Sequence, residues 1–235
     1  MELTAVLQHP QDAGDRWKIV LESASRLLMA EIPKERIDVD PRTLVDAEVR
    51  IAGPTVSLFN TRGEFLRPWV FVDRAEWFTV VAPARPADAI PVVPLDTLDG
   101  FRTEPTGGHR VRTRGTVVHA VPGVSIDLQE GSRGVRATLL PGETATADRF
   151  VPGDVVDVIG FPDRGEGVAT LRDAVVRRLE AGEPPAPSDT TPAEILAVNR
   201  TAVANSTMAR PGDYEGCLVR FPARLAQRQP VAGGG

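Results

Sequence analysis

The chain has 235 residues, 42 % hydrophobic and 25 % charged, with a formal net charge of −5 at pH 7. That length allows one large domain or two to three small ones, and the acidic balance disfavours long-range attraction to nucleic acid, which draws on a basic domain or stripe. The single cysteine, Cys217, excludes an internal disulfide framework and a cysteine-based zinc site, and no run approaches the roughly 18 apolar residues of a membrane-spanning helix.

The 21 Gly and 21 Pro exceed ordinary usage and point to many turns and several short β modules. Residues 1–15 read as a lead-in without the basic and apolar regions of a secretory signal. Asp15 can cap a helix, and Trp17, Val20, Leu21, Ala24, Leu27 and Leu28 recur at helical spacing as far as Pro33. The spacing predicts an amphipathic helix over 16–31, with Lys18 and Glu22 as an i,i+4 pair on its other side, in a lead-in region 1–40. Its apolar stripe calls for packing on the next β module; a membrane-surface or coiled-coil role is the alternative.

Residues 41–100 read as a first small barrel module with a Pro-rich connector. A strand over 48–59 is interrupted by Gly53-Pro54, Asn60-Thr-Arg-Gly63 is a hairpin turn, and strands rich in aromatic and β-branched residues follow over 67–73 and 76–81. The stretch 82–91 is an extended Pro/Ala connector.

A second module occupies 101–187. Five strands are predicted, near 109–118, 124–129, 134–140, 153–160 and 171–179, each bounded by Gly, Pro or Asp. Five strands in so short a span, with Gly115 placed mid-strand where a barrel needs a kink, suggest closure. Alternation sends Val111, Thr113, Val117, Ile126, Leu128, Val135, Ala137 and Leu139 inward. It sends Arg112, Arg114 and Arg136 outward, beside Asp127, as candidate ligand-binding residues for an anion or a nucleic-acid backbone. The same four residues also fit a solvated face of cross-strand charge pairs. Exposed aromatics, the usual platform for single-stranded nucleic acid, are sparse in the strand block 109–179, where only Phe150 and Phe161 occur, both near Pro.

The two modules can be overlaid with an offset of 62 residues, Val49, Arg50, Gly53 and Val56 falling on Val111, Arg112, Gly115 and Val118. A third start appears at Cys217. Residues 188–235 are thus expected to hold a short helix, with Thr191, Pro192 and Glu194 as a capping box, and the truncated start of a third module.

No catalytic constellation emerges. His9, His109 and His119 are not spaced as metal ligands, no Gly-x-Ser-x-Gly elbow or phosphate-binding loop occurs, and the carboxylates of Asp163 and Glu166 fall in a turn between strands. The reading is a non-enzymatic module with no catalytic residues, no metal site and no cofactor.

One resemblance can be drawn from these residues. Val111-Arg-Thr-Arg-Gly-Thr-Val-Val118, Ser125-Ile-Asp-Leu-Gln-Glu-Gly131, Pro152-Gly-Asp-Val-Val-Asp-Val-Ile-Gly-Phe-Pro162 and Leu171-Arg-Asp-Ala-Val-Val-Arg-Arg-Leu179 together resemble OB-fold-like repeats. Such repeats belong to the extracytoplasmic sensory regions of bacterial membrane-bound histidine kinases. The resemblance spans about residues 44–225 and implies a non-catalytic sensory, ligand- or protein-interaction module of a bacterial two-component signal-transduction protein. It also implies a periplasmic or extracytoplasmic location, a small ligand or protein partner, and a membrane reached only through a larger parent protein. The expected fold is mainly β: two tandem OB-like five-stranded barrels with an N-terminal amphipathic helix and an incomplete third repeat. The alternative is a single-stranded nucleic-acid-binding OB-fold protein using the arginine-bearing strand face, with nucleic acid the less favoured partner.

Overall fold

The computed structural model describes residues 1–98, 107–140, 150–163, 170–195, 214 and 216–224. Alternating apolar residues dominate them, and the outcome is mainly β. Twelve strands form two sheets: β1 (Glu2–Asp12), β2 (Arg16–Ser23), β3 (Arg26–Pro33), β4 (Glu48–Ala52), β5 (Thr55–Phe59), β6 (Phe65–Phe71) and β7 (Phe78–Ala82) in the first, β8 (Val111–Val121), β9 (Ser125–Glu130), β10 (Arg133–Leu139), β11 (Val155–Asp163) and β12 (Thr170–Glu180) in the second. A short parallel pair, β13 (Ser188–Asp189) and β14 (Val219–Arg220), follows.

The second sheet is a closed barrel of order β10-β12-β11-β8-β9, with β10 and β12 parallel and the other pairs antiparallel. Numbered within the barrel, that order is 1-2-3-5-4 closing on 1, the five-stranded Greek-key barrel of the OB fold. Val117, Ile126, Leu128, Val135, Ala137, Val156, Val158 and Leu171 fill it. Gly115 lies in β8, where an added Cβ would stand 3.3 Å from the Gln129 carbonyl, so strand 1 passes its neighbour closely at the point where it must serve both ends of the sheet.

The first sheet has the order β5-β6-β3-β2-β1-β4-β7. It is the same barrel with two strands broken. β4 pairs with β1 and β5 pairs with β6, and only Gly53-Pro54 separates β4 from β5, so together they are strand 4, bent at the glycine. β6 runs parallel to β3 and β7 pairs with β4, which makes β6 and β7 the two halves of strand 5. The chain itself thereby joins the two ends of the sheet. A Cβ on Gly53 would lie 2.0 Å from the Phe71 carbonyl, and a Cβ on Gly160, at the matching bend of β11, 3.0 Å from the Arg172 carbonyl. Leu7, Ile19, Leu21, Ala30, Ile32, Val49, Ile51, Val70 and Val72 form this barrel's core.

Three expectations require correction. The amphipathic helix over 16–31 does not exist: the residues form the β2–β3 hairpin, in which Trp17, Ile19, Leu21, Leu28, Ala30 and Ile32 face the core with period 2. The region 1–40, read as lead-in and helix, supplies the first three strands of the first barrel. The 62-residue offset aligns strands that are not equivalent, because 48–59 is strand 4 of its barrel and 111–121 is strand 1 of the next. The true correspondence is shown by a shared bulge and a shared loop contact. β1 is bulged between Leu7 and His9, β8 between Val117 and His119. Leu7 exchanges backbone hydrogen bonds with Asp46 and Ala47, and Val117 does the same with Gly153 and Asp154.

The barrels meet through polar groups. Gln8, buried in the β1 bulge, donates to the Gly108 carbonyl at 3.0 Å and accepts from Arg172 at 3.0 Å. Asp46, also buried, accepts from the Arg110 amide at 2.8 Å and lies 3.1 Å from His109 Nδ1. Its φ of +78° is a conformation that Gly153 occupies in the second barrel. Retaining an aspartate there costs backbone strain and supplies the acceptor that ties one barrel to the next.

After β12 the chain returns to the second barrel. Leu218 donates its amide to Gln129 Oε1 at 2.8 Å, and the Cys217 thiol lies 3.4 Å from the Ser132 carbonyl. Thr191 and Glu194 make reciprocal bonds, Glu194 N to Thr191 Oγ1 at 3.2 Å and Thr191 N to Glu194 Oε2 at 2.7 Å, around the helical turn at 192–195. The remainder of the expected short helix, and all of the third repeat beyond residue 224, lie outside the described residues.

Candidate functional site

Alternation along β2, β3 and β6 turns Trp17, Ile19, Leu28, Ala30 and Val70 inward, and the residues between them outward. The register then decides which outward side chains meet. Val20 opposes Met29, Met29 opposes Trp69, and Trp69 opposes Val56, an apolar row across β2, β3, β6 and β5. Beside it Lys18 opposes Glu31 and Glu31 opposes Phe71.

Two aromatic rings on this face lie parallel. Trp69 and Phe71, two residues apart on one strand, have ring centroids 6.0 Å apart and planes within 4°. The Lys18 ammonium stands 5.6 Å from the Trp69 centroid, inside cation–π range. Arg67, next along the strand, reaches Met29 Sδ at 3.8 Å. Glu31, the nearby carboxylate, is paired with Arg16 at 3.2 Å, so the lysine does not face an unopposed anion. At the tip of the β5–β6 hairpin Phe59 and Phe65 meet edge to face at 6.0 Å, and both are exposed together with Leu66 and Val56. The hairpin turn at 60–63 is fixed by the Asn60 side chain, which accepts from the Arg62 and Glu64 amides at 2.9 Å. In barrel numbering this is the face of strands 2, 3 and 5 with the loop between strands 4 and 5, where OB folds hold oligonucleotides and oligosaccharides.

The residues singled out from the sequence lie on the second barrel and fall into two groups. Arg112 on β8 makes a two-pronged contact with Asp157 on β11, Nη2 to Oδ2 at 2.6 Å and Nε to Oδ1 at 2.9 Å. Arg114 and Arg177 reach the same carboxylate at 3.5 and 3.3 Å. Burial works against charge on Asp157, yet the hydrogen bonds of Arg112, Arg177 and Arg114 outweigh it and hold the carboxyl below its ordinary value. Asp127 on β9 instead takes Arg136 from β10, at 2.8 and 3.2 Å, with His119 at 3.3 Å. Asp127 and Arg136 are therefore brought together, apart from Arg112 and Arg114. Of the two aromatics noted in this module, Phe161 lies in β11 and is fully buried, and Phe150 packs against the core. Asp163 pairs with Arg172 at 3.3 Å, while Glu166 is outside the described residues.

The sequence hides this aromatic face, because the strand pattern over 67–73 assigns Trp69 and Phe71 no side and the helical spacing over 16–31 sets Lys18 on a helix. Only the parallel pairing of β3 with β6 sets Met29 against Trp69.

No protein family model matches the chain, and no curated protein does. Solved structures similar to it include the HIN2 domain of tetrameric p202 (8 % identity, covering 77 % of this chain and 92 % of that one, TM-score 0.30). Others are a murine DNA-binding protein bound to double-stranded DNA (9 %, 79 % and 98 %, TM-score 0.30) and a hypothetical protein, ygiW, from E. coli (16 %, 40 % and 94 %, TM-score 0.30). At such TM-scores the likeness carries no argument about this chain. The resemblance to sensory repeats of bacterial histidine kinases is withdrawn, and the two-component signalling role with it: no family model supports it, and none of the similar structures named is such a repeat. Its motifs were alternating strand residues bounded by Gly and Asp, a pattern any small barrel of this topology uses.

Proposed function

We propose that the protein is a non-catalytic nucleic-acid-binding OB-fold protein, and that single-stranded nucleic acid lies on the outer face of β2, β3 and β6. The observation that carries this reading is the parallel Trp69–Phe71 pair with Lys18 over the indole, set in the row Val20, Met29, Trp69, Val56. Bases stack on such rings with little regard to sequence, each contributing about 1–3 kcal/mol, while cations at the edge meet the phosphates. The exposed Phe59 and Phe65 at the hairpin tip extend the apolar surface to the loop between strands 4 and 5.

The net charge of −5 fits a mode in which stacking supplies more of the affinity than long-range attraction. Binding is then less salt-dependent than for a basic OB protein. The test is anisotropy of a labelled oligo(dT) strand titrated with the full chain at low ionic strength. Wild type binds, and Trp69→Ala weakens binding by about tenfold or more, the loss of one stacking contact. Absence of binding at low ionic strength, or equal binding by both proteins, overturns the reading.

A further inference from the structure

The duplication offers an internal comparison for the arginines of the second barrel. By strand register, Arg112, Arg114, Asp157 and Arg177 occupy the places that Glu2, Thr4, Arg50 and Thr79 hold in the first barrel. There, one cation and one anion face each other, Glu2 and Arg50 at 3.9 Å, and the strands pair in the same way. The fold therefore asks for no more than a single charge pair at this spot. In the second barrel three guanidinium groups converge on one carboxylate.

Arg112 makes the closest contact with Asp157, two-pronged, and both side chains are nearly enclosed, 13 % and 5 % exposed. Arg114 and Arg177 add one longer contact each, at 3.5 and 3.3 Å, and remain 50 % and 69 % exposed. Asp88, in the connector before β8, is the other carboxylate whose charge acts on Arg112. Three guanidinium groups around one carboxylate leave a surplus of positive charge, which is unfavourable unless something further neutralises it. Arginine forks match the tetrahedral oxygens of a phosphoryl group.

We infer that Arg114 and Arg177, organised by the Arg112–Asp157 pair, form a phosphate-binding site on the outer face of β8, β11 and β12. The phosphoryl group is either that of a free oligophosphate or one from the backbone of a bound nucleic-acid strand. The site is separate from the aromatic face and stands or falls independently of it, because an inorganic phosphate has no base to stack.

The test is calorimetric titration of the full chain with sodium tripolyphosphate at low ionic strength, for wild type, the double variant Arg114→Ala/Arg177→Ala, and Arg50→Ala. Both arginines of the double variant are exposed and Arg112 still holds Asp157, so its barrel stays folded, as circular dichroism checks. The expected result is binding by wild type and by Arg50→Ala, with about a tenfold or greater loss in the double variant. A companion titration with oligo(dT) identifies the source. If the double variant also lowers the slope of log K against log salt by about 1.4, two contacts' worth, the phosphate is that of the strand. If oligo(dT) binding is unchanged while tripolyphosphate affinity falls, the ligand is a free oligophosphate. Failure of wild type to bind tripolyphosphate, or equal affinity in all three proteins, overturns the inference, and neither result bears on Trp69.

Discussion

His9 follows the bulge of β1, and its Nδ1 stands 3.2 Å from Asp173 Oδ1 on the second barrel. Asp173 raises the imidazole's pKa above the ordinary 6.5, against the opposing effects of burial and of the neighbouring Arg172 guanidinium. Asp173 has a φ of +50° and lies where the register of β12 against β11 shifts, between Arg172 and Val175. A folded-state value above the unfolded one means that protonated His9 stabilises the fold. That contribution is complete below about pH 6.5 and disappears as pH rises through the higher folded-state value. The expected outcome is a melting temperature that falls from about pH 6 to about pH 8 in wild type and less so in His9→Asn, read by thermal denaturation across that range. An identical pH profile for the two proteins contradicts the role given to His9. Sequence spacing gives His9 no role, because a partner 164 positions away cannot be inferred from it.

The β2–β3 hairpin is the element at which sequence and structure part most clearly. Trp17, Val20, Leu21, Ala24, Leu27 and Leu28 satisfy a helical period, while Trp17, Ile19, Leu21, Leu28, Ala30 and Ile32 satisfy a period of 2 on both sides of a turn. What decides between them is the turn, and the turn is disguised. Ser23 pairs with Arg26, and the two residues between, Ala24 and Ser25, have φ of 49° and 63°, a two-residue hairpin loop of the I′ kind. That loop ordinarily announces itself with Asn-Gly; Ala-Ser gives no signal and carries the steric cost of left-handed backbone, about 1 kcal/mol per residue. Ala24→Asn/Ser25→Gly is therefore expected to stabilise the protein by about 1–2 kcal/mol and to raise Tm by about 4 °C, measured by differential scanning calorimetry. A lower Tm contradicts the assignment of the turn. By contrast, the strands of the second barrel were legible, because Gly, Pro and Asp mark nearly every one of their ends.

At the scale of the molecule, two barrels of one topology are joined by a polar contact built from Gln8, Asp46, His109, Arg110 and Arg172. The mainly β architecture and its OB-like barrels were readable from alternation and turn residues, whereas the register of the duplication was not. In the first barrel Gly53-Pro54 and residues 72–77 break strands 4 and 5 into pieces that sequence reading treats as separate elements. Divergence of the copies also separates their surfaces: stacked aromatics with a lysine on the first, convergent arginines on the second. The central claim is that the first of these surfaces receives single-stranded nucleic acid. Amide chemical-shift mapping of the full chain with oligo(dT) tests it most directly. The account predicts perturbations concentrated at Lys18, Met29, Trp69 and Phe71 and along the β5–β6 hairpin. No perturbation, or perturbation confined to residues elsewhere, would contradict it.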